Sequence, residues 1–329
     1  MRSQLEEFVR LLRQPKGTSY ASKFGGLWTD LSNAAELVDA RAKERGWSSR
    51  LKENVAFFVE HGFVILKRAV PHADIDTYLG AFERALGDPS HPMRASVPGT
   101  RENPNTIVSA AEAPRLAPLT KYLDTYVHLP EARALMFAGP VLQFLQTIFD
   151  EADVKAFQGL HFETGSTQAI HQDSAYVVVN RPLWFSASWL ALEDVVQGSG
   201  ELCYYPGSHR FPDHVYPPKK KHWNPTDGNE THDEHLQELH EHAKARGIAL
   251  EAFLPKKGDV LIWAADLAHG GSPITTPDST RRSLVTHYCP ASIDPYYLRF
   301  CPPGTKAIEV AKNAQCISMY HPNMGTSAS

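Results

Sequence analysis

Apolar residues recur at helical spacing through the first part of the chain and then give way to short apolar runs bounded by turn residues. Leu5, Phe8, Val9 and Leu12 mark one helical face, which the glycine-bearing segment 17–26 interrupts. Further helices are predicted over 34–45, closed by Gly46, and over 51–60, closed by Gly62. Residues 63–67 read as a short buried strand that leads through Pro71 into a helix over 73–87. Residues 88–117 hold five prolines and no sustained period, so they read as a long loop. An apolar helix is expected over 131–149. Past Asp153 the pattern becomes strand-like, with runs at 155–163, 168–179, 183–192, 201–205, 259–264 and 281–288. A polar stretch at 211–250, with Lys219, Lys220 and Lys221 and a helical pattern over 234–246, interrupts them. The pattern predicts an α+β, mostly β core, a sandwich or barrel with helices packed on it and one long insertion.

Composition narrows the classes. The 329 residues are 42% hydrophobic and 21% charged with a net charge of −4, ordinary for a globular chain with a substantial core. No basic excess asks for nucleic acid or an anionic membrane, and no run approaches the ~18 apolar residues of a membrane helix. Cys203, Cys289, Cys301 and Cys316 are far apart and form no C-x-x-C. That spacing suits a reducing compartment, and the charged first residues do not resemble a signal peptide. A soluble cytoplasmic protein is expected, with no nucleic-acid or membrane partner.

The candidate chemistry begins at His171-Gln172-Asp173. Residues two apart in a strand share a face, so His171 and Asp173 can converge on one ion. His269 follows about a hundred residues later, after the buried run 259–263 and before Gly270 and Gly271. Two imidazoles and a carboxylate are the ligand set that holds Fe(II) with cis positions left open. With 16 histidines about one H-x-D arises by chance, and a second copy, His72-Ala73-Asp74, opens the 73–87 helix, where polar capping groups explain it. Twelve residues past His269 come Arg281 and Arg282. Arg281, Ser283, Val285 and His287 share one strand face, so one arginine of the pair can point inward. An inward guanidinium needs an anionic partner, and a carboxylate suits its planar fork.

Four blocks carry a resemblance. They are FFVEHGFVILKRAVPHADIDTYLGAFERAL, HQDSAYVVVNRPLWFSASWLALED, GSGELCYYPGSHR and KKGDVLIWAADLAHGGSPITTPDSTRRSLVTHY. In order and spacing they resemble the phytanoyl-CoA dioxygenase family of Fe(II)/2-oxoglutarate oxygenases over roughly 52–290. The resemblance implies a double-stranded β-helix (jelly roll, cupin-like). It divides the chain into a helical extension at 1–50, an oxygenase domain at 51–295 bearing the insertion, and a tail at 296–329, within one structural domain. It implies Fe(II), 2-oxoglutarate and O2 as cofactors, with His171, Asp173 and His269 as iron ligands and Arg281 on the distal carboxylate of 2-oxoglutarate. Trp189, Gln172 and Lys121 are the implied further contacts to the cosubstrate. Where the family often has serine two residues after the distal histidine this chain has Gly271, and Ser272 is the shifted candidate. The turn Pro206-Gly207-Ser208-His209 is architectural in the family. Relatives that halogenate lack the carboxylate that Asp173 supplies, so the implied activity is oxidation of an unactivated C–H bond, as hydroxylation, desaturation or ring closure, with release of succinate and CO2.

Two other readings stand beside this one. The insertion region is rich in histidine (209, 214, 222, 232, 235, 240 and 242), and His232 and His235 share a helical face. A Zn-dependent hydrolase built on 209–242 is therefore an alternative, as is a solvated charged helix. A ligand-binding relative without catalysis is the third reading. The substrate is expected to be a small molecule. Lys219, Lys220, Lys221 and Trp223 are positioned in sequence to meet an anionic or carrier-linked group, and 88–117 and 211–250 are the candidate lids.

Overall fold

Gly46 and Gly62 take left-handed conformations (φ 63 and 78) that stop two helices where the sequence places them. These are α1 (Ala34–Arg45) and α2 (Ser49–His61) of the computed structural model, which describes residues 19–99, 105–224, 226, 228–301 and 305–321. The helical face at Leu5, Phe8, Val9 and Leu12 lies outside the described residues. The chain continues through β1 (Phe63–Leu66), α3 (His72–Leu86), β2 (Arg94–Pro98), β3 (Asn105–Ser109), β4 (Lys121–Leu123), α4 (Pro130–Met136) and α5 (Gly139–Phe149). Then come β5 (Val154–Phe162), β6 (Ser186–Ala191), β7 (Leu202–Tyr204), α6 (Asn229–Ala245), β8 (Glu251–Ala252), β9 (Val260–Ala264), β10 (His269–Gly271) and β11 (Ser283–Pro290). The described chain closes on β12 (Ile308–Ala311) and β13 (Ala314–Cys316).

The large sheet runs β1-β9-β6-β11-β5-β4-β2-β3, antiparallel throughout, with β13 added parallel to β5 and β12 paired to β13. A small sheet, β10-β7-β8, is extended by a bridge between His171 and His269. Two sheets packed face to face, with the chain passing between them from β6 to β7 and from β9 to β10, make the expected jelly roll. β6 and β11 are buried at every residue, so they read as apolar runs without clean alternation. On the outer face of the large sheet Leu190, Ile262 and Leu284 pack with Val55, Phe58, Phe82 and Phe144 of the helices. On the inner face Trp189, Leu261 and Val285 pack with Leu202 and Tyr204 of the small sheet. Truncating one of these buried rings, Phe82 for example, would cost roughly 3–5 kcal/mol. The metal candidates lie in this second layer.

Several elements differ from expectation for identifiable reasons. The apolar helix over 131–149 is two helices bent by 57°, because Pro140 lacks an N–H and starts a new helix instead of continuing the old one. The run 168–179 is not a strand; after the His171 bridge it tightens into a 3-10 turn, Asp173–Ala175. Residues 88–117 contain the hairpin β2–β3, whose flanking prolines disguise it. The segment read as a tail joins the sheet at β5 and buries Ala314, Cys316 and Ile317; its three-residue strand is too short to show a period. At His72-Ala73-Asp74 the helix starts without a side-chain cap, and the His72 ring meets the Lys257 carbonyl at 2.9 Å. No single helix among the described residues is long and apolar enough to cross a membrane.

Candidate metal centre

His171 and His269 sit directly opposite one another on adjacent extended segments, each backbone N–H donating to the other's carbonyl (2.8 and 2.9 Å). Their rings lie 4.5 Å apart. Each ring Nδ1 meets a backbone carbonyl two residues earlier, Ala169 for His171 and Leu267 for His269, both at 2.8 Å. A carbonyl only accepts, so Nδ1 carries the proton and Nε2 presents its lone pair. Both Nε2 atoms lie 3.7 Å from Asp173 Oδ1. The three donor atoms fall within 4.8 Å of one another, all on buried residues.

The other carboxylate oxygen is held from the large sheet. The Trp263 indole N–H donates to Asp173 Oδ2 at 2.8 Å, and His287 Nε2 lies 3.3 Å from it. Trp263 and His287 both pair with Ala187, one on each side, so a small residue between two large donors leaves room for the carboxylate. Burial alone would raise the Asp173 pKa, but the surrounding imidazoles of His269, His287 and His171 outweigh it and hold the carboxyl well below its usual range. Burial pushes His269 down to about 4. An ionised carboxylate and a neutral imidazole are the protonation states a metal requires. The donor set therefore fits Fe(II).

Arg281 lies beyond the triad, just before β11, at 2% exposure. Its Nη1 donates to the Gly200 carbonyl (3.0 Å) and its Nη2 to the Thr164 carbonyl (3.4 Å), while Nε has no hydrogen-bond partner among the described residues. The guanidinium carbon is 5.5 Å from the Phe162 ring and 5.4 Å from the Trp189 ring. It forms no ion pair among the described residues. Burial lowers its pKa to about 10, which leaves it charged at neutral pH. Glu201 and Glu193 act on it only through space, so a buried cation whose hydrogen-bond partners are neutral carbonyls is a receptor for an anion. Gly165 makes the arrangement possible, since a Cβ there would stand 2.5 Å from the Ser199 carbonyl oxygen and push the Gly200 loop away. Arg282 turns to the other side, with its Nε 3.6 Å from Glu163 and 3.9 Å from Glu193.

A single cavity of about 370 Å³ contains the triad, Arg281, Trp189 and Lys121. Lys121 is set into its wall, and burial lowers its pKa. Two expected contacts lie elsewhere. Gln172, on the opposite side of the chain from its two neighbours, donates its amide to the Asp266 carbonyl (2.7 Å) and does not line the cavity. Ser272 also lies outside the cavity wall, bonded to the Cys203 thiol. Ser166 stands in the wall instead, its hydroxyl 2.9 Å from where a Cβ on Gly271 would be. Sequence reasoning missed it because it belongs to another loop.

Trp263, Tyr176, Tyr297 and Tyr320 also line the cavity without having been singled out. Only Trp263 left a trace in the sequence, through its place in the strand before His269. His209 takes no part; it packs against Gly62, and the adjacent Ser208 hydroxyl accepts the Ala268 N–H (2.8 Å) beside His269. His232 and His235 part company, His232 meeting the Tyr176 hydroxyl at 2.6 Å and His235 turning towards His214.

Known proteins share these features. The phytanoyl-CoA dioxygenase (PhyH) family model matches residues 58–283. Human peroxisomal phytanoyl-CoA dioxygenase is 26% identical over 258 residues, 75% of this chain and 70% of that one. A Dictyostelium discoideum phytanoyl-CoA dioxygenase domain-containing protein 1 homolog is 24% identical over 268 residues, 72% of this chain and 90% of the relative. Among solved structures, the non-heme alpha ketoglutarate dependent carbocyclase SnoK from nogalamycin biosynthesis superposes with a TM-score of 0.59 at 19% identity. That match covers 81% of this chain and 96% of SnoK, and it speaks for the fold. Since the family model runs from α2 into β11 and so takes in both sheets and the whole triad, the chain belongs to the phytanoyl-CoA dioxygenase family of Fe(II)- and 2-oxoglutarate-dependent oxygenases.

Proposed function

We propose that this protein oxidises an unactivated C–H bond of a small molecule, by hydroxylation or a related outcome, using Fe(II), 2-oxoglutarate and O2 and releasing succinate and CO2. One observation carries the reading: a His171–Asp173–His269 donor set shares its cavity with the buried guanidinium of Arg281. A divalent ion with one carboxylate keeps about one positive charge and Arg281 adds another, so a dianionic cosubstrate spanning the two meets a neutralised site.

Iron, when held with 2-oxoglutarate and O2, supplies the oxidising power. The chain's own groups position and shield. His171 and His269 offer Nε2, while Trp263 and His287 hold Asp173 so that Oδ1 faces the imidazoles. The Arg281 fork takes the distal carboxylate of the cosubstrate between Phe162 and Trp189. Leu160, Leu202 and Val285 keep that end of the cavity apolar, which limits water around the reacting centre. Asp173 favours oxygenation over halogenation, because its carboxylate occupies the position a halide would need.

The remaining wall carries Asn105, Lys121, Tyr176, Tyr297 and Tyr320, which suits a polar or anionic substrate better than a wholly apolar one. The hairpin β2–β3 contributes Ser96, Asn105 and Ile107 to this wall, so it is the nearer of the two candidate lids. The test is turnover under ¹⁸O2 with Fe(II) and 2-oxoglutarate. One labelled oxygen atom should appear in succinate, and a preparation that consumes neither O2 nor 2-oxoglutarate with any screened small molecule counts against the proposal.

A further inference from the structure

Outside the cavity, the insertion assembles a second set of ligating atoms. His214 lies in the loop after the Pro206–His209 turn, and His235 and Glu238 lie three residues apart on one face of α6. One donor atom from each falls within 4.8 Å of the others. His214 Nδ1 is 2.8 Å from Glu238 Oε2. The His235 ring sits 5.0 Å from the His214 ring and 5.8 Å from the Tyr216 ring, at 3% exposure. Neither of its nitrogens has a hydrogen-bond partner among the described residues. An imidazole so deeply buried with both nitrogens orphaned is uncommon, because the groups lose water and gain nothing in exchange.

We propose that His214, His235 and Glu238 bind a zinc ion that fastens helix α6 to the 211–221 loop. Two imidazoles and one carboxylate are a zinc donor set, with a fourth position for water. Lys221, whose positive charge bears on His235, is itself held at 2.9 Å by both Asp213 and Asp266, which offsets it, and Glu238 brings a negative charge to the cluster. The site is separate from the triad and does not depend on the oxygenase reading, yet it bears on the cavity. One turn before His235, His232 contacts the Tyr176 hydroxyl at 2.6 Å, with its ring 4.7 Å from that of Trp223. Zinc at His235 thus steadies the helix that backs one cavity wall.

The experiment measures zinc bound per chain after equilibration with Zn(II) and removal of free metal. The wild-type chain should hold two equivalents, one at each cluster. The variant His171→Ala/Asp173→Ala should keep one, and adding His235→Ala to it should remove that one. His235→Ala alone should keep the equivalent at the triad, which also shows that the variant folds. If it fails to fold, Glu238→Gln, on the surface of α6, serves in its place. X-ray absorption of the zinc left in the triad variant should show only nitrogen and oxygen neighbours at about 2.0–2.1 Å. A triad variant that holds no zinc, zinc that survives His235→Ala in that background, or sulfur neighbours at about 2.3 Å would overturn the proposal. Loss of only the triad equivalent would bear on the iron site and leave this one standing.

Discussion

Trp263 and Asp173 come from different parts of the jelly roll, and the indole N–H of one donates to the carboxylate of the other at 2.8 Å. The bond occupies Oδ2 and leaves Oδ1 facing both histidine Nε2 atoms at 3.7 Å. Trp263→Phe keeps the ring and removes the donor. Iron affinity should fall about 10–100-fold, the usual effect of losing a group that orients a ligand. Anaerobic Fe(II) titration of the two proteins decides it, and an unchanged dissociation constant would mean the bond does not orient the carboxylate.

Among the described residues, the Arg281 guanidinium hydrogen-bonds to backbone carbonyls and faces two aromatic rings. Arg281→Ala should raise the KM for 2-oxoglutarate roughly 30-fold or more, equivalent to about 2 kcal/mol for one lost charge-assisted hydrogen bond. Fe(II) affinity should hardly change. A weaker iron site with an unaltered KM would place the cosubstrate elsewhere.

Gly165→Ala probes the same pocket from behind. The added Cβ meets the Ser199 carbonyl oxygen at 2.5 Å and Gly200 Cα at 2.7 Å, so backbone must move. Stability should drop by about 1–3 kcal/mol, as overpacking usually costs. The KM for 2-oxoglutarate should rise as well, because the Gly200 carbonyl that holds Arg281 is displaced. Thermal melting and cosubstrate kinetics check both, and a neutral variant would show that the loop has room to relax.

Acid should destabilise the metal-free protein. His161, His235, His269 and His321 are all buried, and burial lowers the pKa of each, to about 3 for His235 and about 4 for His269 and His321. Between pH 6.5 and 4 the unfolded chain protonates these imidazoles and the folded chain does not, so stability falls as pH falls. Asp30 and Asp124 act the other way, since burial raises each to about 7 and the folded state binds their protons first. With His128 and His209, which burial lowers to about 4 and about 3, six groups oppose two. The urea midpoint should therefore decrease from pH 7 to pH 5, and a rise would contradict the sign.

Much of this was legible in the sequence, and the limits have physical causes. Period-2 reasoning put His171 with Asp173 and Arg281 with Val285 and His287, and these residues line the cavity together while Arg282 turns outward. The same reasoning, applied to Gln172, would have predicted its turn away from the cavity. Glycine stops located the ends of α1 and α2, because a left-handed residue is written in the chain itself. Contacts made between distant loops left no local mark. Ser166 fills the space beside Gly271, Tyr297 and Tyr320 reach the cavity from the C-terminal segment, and His235 finds His214 across the insertion. Residues 131–149 looked like one helix because apolar periodicity survives a bend that only Gly139 and Pro140 announce.

The most direct test mixes the metal-free protein with Fe(II) and 2-oxoglutarate without oxygen and records the weak visible charge-transfer band of the chelate. The account predicts the band in the wild type, its loss in His171→Ala and Asp173→Ala, and its recovery only at higher 2-oxoglutarate in Arg281→Ala. No band at saturating cosubstrate, or one that survives loss of both His171 and Asp173, would contradict the assignment of this cavity as the iron and 2-oxoglutarate site.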